Sequence, residues 1–243
     1  RDYRLAEDSP ALAIGFEPFD TSQAGVYGDS AWAAKALKRQ FPALRTEAPQ
    51  PPPLTVDEDF EGEQGNTFLT DAAVHTEDWG DALTLSTDAP AAGQSCLQVR
   101  DKAGLQQGFN PHFYFKADHW TGRTQVSFDL RLGPGAKLQH QWREYPGRPY
   151  FHTGPSLYIA DNRLIVGNQS LMTLHEGEWV HFVIEAGHGQ EAQDTWQLTV
   201  TPSGQPAQTF SLPIGSPGEY RRLTWLGFVS GANTDAVFWL DNL

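Results

Sequence analysis

The chain has 243 residues, 39% of them apolar and 12% aromatic, enough for one large packed core and unlike the composition of a disordered chain. Seventeen Lys and Arg against 30 Asp and Glu leave a net charge of −13, a field that repels nucleic-acid backbones and anionic lipid headgroups and argues against both as partners. No apolar run approaches the roughly 20 residues that cross a bilayer, Arg-Asp-Tyr-Arg-Leu at the start lacks the form of a signal peptide, and the single Cys96 excludes an internal disulfide framework and a multi-cysteine zinc site.

Residues 1–41 hold two short alternating runs, Tyr3/Leu5 and Leu12/Ile14/Phe16, which read as scraps of strand. Gly28-Asp29-Ser30 then leads into AWAAKALKRQF, a short helix that Ser30 can cap and whose Trp32, Ala36, Leu37 and Phe41 share one face. This material cannot bury a core alone, so it is expected to dock on something. Next comes PALRTEAPQPPPLTV, where Pro51, Pro52 and Pro53 impose a stiff extended spacer. The expected layout is a docking segment or remnant of a preceding domain over 1–41, a Pro-rich linker over 42–55 and a β-sandwich over 56–243.

From Val56 onward the pattern is alternation bounded by turn residues. QVSFDLRL sets Val126, Phe128, Leu130 and Leu132 against Gln125, Ser127, Asp129 and Arg131, a half-buried strand ended by Gly-Pro-Gly. Strands are also predicted at ALTLST, SCLQVR, HFYFKA, KLQHQWREY, SLYIAD, RLIVGN, WVHFVIEA, TWQLTVT, AQTFSL, RLTWLGFVS and AVFWLDNL. Turns such as Asp161-Asn162, Pro202-Ser203-Gly204 and Ser216-Pro217-Gly218 separate them without intervening helices. About a dozen strands in under 200 residues indicate an all-β, two-sheet antiparallel sandwich of jelly-roll type.

The succession GEWVHFVIEAG, DTWQLTVTPSG, RRLTWLGFVSG and AVFWLDNL resembles the C-terminal half of concanavalin A-like, or laminin G-like, jelly-roll domains. That superfamily includes lectins, carbohydrate-binding modules, glycosidases and lyases, so the resemblance implies a sandwich and leaves its activity open. DYRLAEDSPALAIGF separately resembles the closing segment of right-handed parallel β-helix proteins, many of which process polysaccharides. This second resemblance implies that the chain is the tail of a larger protein. Scarce Cys and Met beside abundant Trp, Gly and Pro match exported proteins, so the expected location is extracellular or periplasmic.

DEDFEGEQGN, residues 57–66, concentrates five carboxylates. Asp57-x-Asp59-x-Glu61 has the parity of a glucanase strand, but it begins with the shorter Asp and sits at the domain's edge, which weighs against glycoside hydrolysis. Carboxylates beside Gly and Asn also suit a hard cation. Jelly-roll binding modules pair a similar first-strand Phe-Glu element with a last-strand Asp around structural calcium. That resemblance implies Ca2+ held by Asp59, Glu61 and Asp241, with a solvated acidic turn as the alternative.

The eight His residues form no His-x-His or His-x-x-x-His pair, and no Gly-x-Ser-x-Gly is present, so neither a zinc site nor a serine nucleophile is indicated. Cys96 within SCLQVR is expected to be a buried small hydrophobe. In HFYFKA, Phe113 and Phe115 take one face while His112, Tyr114 and Lys116 take the other. KLQHQWREY has no purely apolar side. If these strands and QVSFDLRL are neighbours, Tyr114, Arg131, Trp142 and Arg143 form an aromatic and cationic face suited to a glycan. The reading is a non-catalytic carbohydrate-recognition or structural accessory domain of an exported polysaccharide-acting protein, partnered by a polysaccharide and the preceding domain. Its rivals are a glycoside hydrolase or polysaccharide lyase with its cleft on that face, and an interaction module without a ligand.

Overall fold

A computed structural model describes residues 5–18, 28–38, 52–62, 68–147 and 149–243. The chain divides into two compact units, Arg1–Pro49 and Gln50–Leu243. In the first, Leu12, Ile14 and Phe16 do not form a strand: helix α1 spans Pro10–Ala13, with Ser9 as N-cap accepting from the Ala11 N–H at 3.4 Å. Proline at the first helical position and a serine before it preset a helical turn, and this outweighs three alternating apolar residues. Helix α2 spans Ser30–Lys38. Its cap is Asp29 rather than Ser30, through a 2.7 Å bond from the Ala31 N–H. Of the predicted apolar face, Trp32 is 70% exposed and Phe41 lies outside the described residues, as does Tyr3 of the first predicted run. No helix among the described residues is long and apolar enough to cross a membrane.

The second unit is a two-sheet antiparallel jelly roll. The first sheet runs β1 (Ala72–His75), β4 (His112–Phe115), β13 (Trp225–Ser230), β6 (Leu138–Gly147), β7 (Tyr150–Ala160), β8 (Arg163–Val166) and β9 (Gln169–Thr173). The second runs β12 (Gln208–Pro213), β11 (Thr195–Pro202), β10 (Trp179–His188), β5 (Gly122–Leu132), β14 (Ala236–Asp241), β3 (Cys96–Asp101) and β2 (Ala82–Ser86). All twelve predicted strands are present. The two not predicted, β1 and β9, are short and lack alternation, so they gain their pairing from partners distant in sequence or across a tight turn.

Alternation sends one row of each strand between the sheets. Phe113 stacks on Phe228 at 5.0 Å, Phe228 meets Phe128 edge-on at 5.1 Å, and Phe128 stacks on Phe182 at 5.1 Å, so one aromatic column crosses the sandwich. On β6 the inward row is Leu138, His140, Trp142 and Glu144. Its polar atoms are largely matched inside. Trp142 Nε1 donates to His140 Nε2 at 3.0 Å, and Glu144 Oε2 accepts from the Arg221 and Arg222 N–H groups at 2.6 and 3.1 Å. Cys96 is buried, and desolvation pushes its thiol up to about 11, an inert packing residue.

The unit's opening segment, residues 54–58, packs on the same core. Leu54 donates to the Ala117 carbonyl at 2.9 Å, Leu54 and Val56 lie against the buried cluster, and Glu58 and Leu243 exchange backbone bonds at 2.7 and 3.0 Å. The first and last residues of the sandwich are thus paired.

Three imidazoles are held neutral. Desolvation lowers His140 to about 3, and it lowers His188 to about 4 with help from His119. His112 falls to about 4 through desolvation and then through electrostatic interaction with His75 and Arg143. Unfolded histidine binds a proton near pH 6.5, so below that pH the unfolded chain takes up protons the folded one refuses. Stability is therefore full above about pH 6.5 and declines as pH falls from there toward 4. Thermal melts between pH 8 and 5 should show a plateau and then a falling Tm; a flat profile contradicts the neutral imidazoles. Trp142→Ala should lose about 3–5 kcal/mol by denaturant unfolding.

Candidate functional site

The outward row of the first sheet carries the polar and aromatic groups. Register places His75 opposite His112, His112 opposite Val229, and Val229 opposite Gln139. A second row runs Tyr114, Gly227, Gln141, and in a third Trp225 faces Arg143. These strands floor a cleft of about 920 Å³ lined by His75, His112, Tyr114, Arg143, Tyr145 and Trp225, with Lys116 and Asp118 at its margin.

Trp225 is 7% exposed, because its indole lies flat over Gly227, where an added Cβ would collide with the ring. Tyr114 stacks on it at 5.3 Å and the Arg143 guanidinium covers it at 4.0 Å. The indole is therefore a floor that positions those two side chains rather than an open stacking platform. Arg143 Nε donates to Gln141 Oε1 at 2.6 Å, a second guanidinium nitrogen donates to the Tyr145 hydroxyl at 3.2 Å, and Phe151 covers the cation at 4.4 Å. Among the described residues no carboxylate lies within ion-pair distance of Arg143. The cation is held between aromatic rings and neutral hydrogen-bond acceptors.

Beside it, His75, His112 and Tyr114 form a ladder of near-parallel rings, with centroids 4.5 Å apart for His75 and His112 and 5.7 Å for His75 and Tyr114. His112 Nδ1 lies 2.8 Å from Asn110 Oδ1. The cleft thus sets a fixed cation, a neutral imidazole and a phenol on one face, a set that can bind an anion and exchange hydrogen bonds with hydroxyls.

Two of the four predicted ligand-binding residues, Tyr114 and Arg143, meet here. The other two do not. Trp142 is 0% exposed because it has the opposite parity to Arg143 and enters the core. Arg131 belongs to β5, which pairs with β10 and β14 in the second sheet, whereas β4 and β6 flank β13 in the first. Arg131 is 7% exposed, between Trp179 at 5.3 Å and Trp239 at 4.0 Å, and donates to the Asp88 carbonyl. It anchors a loop. Absent from the predicted set were His75, His112, Gln141, Tyr145 and Trp225. Alternation in HFYFKA already put His112 beside Tyr114, but Trp225 and His75 arrive from β13 and β1, and no local pattern brings them together.

The acidic opening resolves differently. Asp59 Oδ1 accepts from the Glu61 N–H at 2.9 Å. Glu61 Oε1 accepts from the Gln94 and Ser95 N–H groups at 2.7 and 2.8 Å. Asp241 Oδ2 accepts from Ala91 and Ala92 at 2.9 and 3.2 Å, and its Oδ1 from Asn242 at 2.9 Å. Burial pushes the Asp241 carboxyl up, and those N–H groups pull it back. Glu61 and Asp241 thus clasp the β2–β3 loop directly. No three potential ligands converge among the described residues, and one oxygen of Asp59, one of Glu61 and both of Asp241 already accept N–H groups. Asp241→Ala should lose about 1–3 kcal/mol by stranding buried N–H groups, whereas a chelator should leave the melting temperature of the native chain unchanged. A chelator-induced fall would restore the metal.

Solved structures share this architecture. An endo-β-1,4-glucuronan lyase from the fungus Trichoderma reesei is similar with a TM-score of 0.51 at 11% identity, over 76% of this chain and 91% of that one. A marine alginate lyase from Aplysia kurodai follows at 0.49 and 12%, over 68% and 88%. At these identities the likeness is one of fold, a two-sheet jelly-roll sandwich. No protein-family model matches the chain, and no curated protein matches it.

Proposed function

We propose that the chain is a carbohydrate-recognition sandwich of an exported polysaccharide-acting protein, and that the first-sheet cleft takes an acidic polysaccharide. One observation carries this reading: Arg143 is a half-buried cation with only neutral partners among the described residues, in a chain of net charge −13. A cation withdrawn from water and left unpaired is unfavourable unless a ligand supplies the anion. Tyr114, Tyr145, His112 and Gln139 around it suit sugar hydroxyls. The glucuronan lyase of the same fold is compatible with this reading without carrying it. The Arg1–Pro49 unit would then join the sandwich to a preceding domain of the same protein.

Binding should be weak, with a free energy of about 4–8 kcal/mol, and should weaken as salt rises. Calorimetry with polygalacturonate, alginate and a neutral β-glucan tests this. The acidic polymers should bind, and Arg143→Gln should abolish most of that binding with the fold intact. No binding by folded wild-type chain to any of the three would leave a structural module without a ligand.

The neutral imidazole favours a second reading, cleavage by β-elimination. Arg143 would neutralise a uronate carboxylate and so acidify the adjacent C–H, His112 would accept that proton, and Tyr114 would protonate the departing glycosidic oxygen as the C–O bond breaks and C=C forms. Unsaturated product, followed by its ultraviolet absorbance, should then appear from alginate or polygalacturonate and vanish in His112→Ala. Its absence with wild-type chain that binds the polymer leaves recognition alone.

A further inference from the structure

The loop after β1 and the loop before β4 are joined by one carboxylate. Glu77 Oε2 accepts from the Gln106 N–H at 2.6 Å, and Oε1 accepts from the Gln107 N–H at 2.7 Å and from Asn110 Nδ2 at 3.0 Å. These bonds hold the carboxyl below its ordinary range, the Gln106 bond foremost. An ionised carboxylate only accepts, so the amide of Asn110 must turn its NH2 toward Glu77. Its carbonyl oxygen then faces His112 Nδ1, 2.8 Å away. A carbonyl also only accepts, so Nδ1 must carry the proton. In a neutral ring the other nitrogen, Nε2, then bears a lone pair.

We propose that Glu77 and Asn110 are positioning residues that lock His112 in the Nδ1–H tautomer, so that the cleft lined by Arg143 also presents an acceptor nitrogen. The pair defines what the ligand must offer: an O–H to His112 Nε2 and an anionic or carbonyl oxygen to Arg143. A polymer bearing both carboxylates and free hydroxyls meets both demands, whereas a neutral sugar meets only the first. The ligand half of this inference rests on the acidic-polysaccharide reading; the tautomer half does not.

The ring is enclosed on several sides. His75 stacks on it at 4.5 Å from β1, and Arg143 faces it from β6 across β13. Phe109 closes the ring edge at 5.6 Å, and Tyr114 follows on β4. Lys116 and Asp118 line the same cleft. Burial and the Arg143 cation outweigh the backbone bond to Phe109 that favours protonation, so the ring stays neutral and the Asn110 carbonyl fixes the proton on Nδ1.

The test is two-bond proton–nitrogen correlation NMR on the full chain with labelled histidine, at pH 7. His112 should show a protonated Nδ1 and an unprotonated Nε2. Glu77→Gln offers Asn110 either a donor or an acceptor, so the amide can turn over. The His112 signals should then move toward a tautomer mixture, and alginate binding should weaken about three- to tenfold. Glu77→Gln with Asn110→Asp restores an acceptor to Nδ1 and a donor to that acceptor, and should recover the Nδ1–H signature. A wild-type Nε2–H tautomer, or a Glu77→Gln spectrum identical to wild type, overturns the proposal. The expected tautomer in a chain that binds no acidic polymer would support the lock and remove the polysaccharide reading.

Discussion

The aromatic column between the two sheets is the constraint on which the rest depends. Phe113 and Phe228 from the first sheet, and Phe128 and Phe182 from the second, are in ring contact across the sandwich, with His140 at 4.3 Å from Phe228. Side chains on a strand alternate, so fixing Phe113 and Phe228 inside fixes Tyr114 and Gly227 outside. A slip of one residue would bury Tyr114 and expose the phenylalanines. The cleft is therefore the reverse side of the core, and its geometry inherits the core's rigidity.

Polar groups in this fold are handled by local closure rather than by ions. His140 is buried yet accepts the Trp142 indole N–H, Glu144 accepts two backbone N–H groups, and Glu61 and Asp241 each clasp a loop. Arg143 departs from this rule: its described partners are neutral while it faces a cleft. A half-buried cation held in a cleft by neutral groups directs attention to what is meant to meet it.

Much of the fold was legible because alternation is local. QVSFDLRL and WVHFVIEA declare their buried rows within eight residues, and Pro-Ser-Gly or Asp-Asn turns separate such runs. The site was legible only in part. Tyr114 and Arg143 could be read from their own strands, but their proximity depends on β13 inserting between β4 and β6, a pairing between residues over eighty positions apart. Arg131 looked equivalent to Arg143 because sequence gives parity and not sheet membership. Trp142 was misplaced because a strand with His, Trp and Glu on one side looks too polar to bury until the His140 and Glu144 partners are known. The same blindness hid the N–H donors of the β2–β3 loop, which bond two of the three expected calcium ligands, Glu61 and Asp241.

The central claim is that the outward face of the first sheet is where an acidic polysaccharide binds. Hydrogen exchange measured residue by residue, with and without saturating alginate, tests it without altering the protein. The account predicts added protection concentrated in β4, β6 and β13 and in the loop bearing Asn110, with the β5, β10 and β14 amides unchanged. Protection confined to the second sheet, or none at a concentration that saturates the chain, would contradict it.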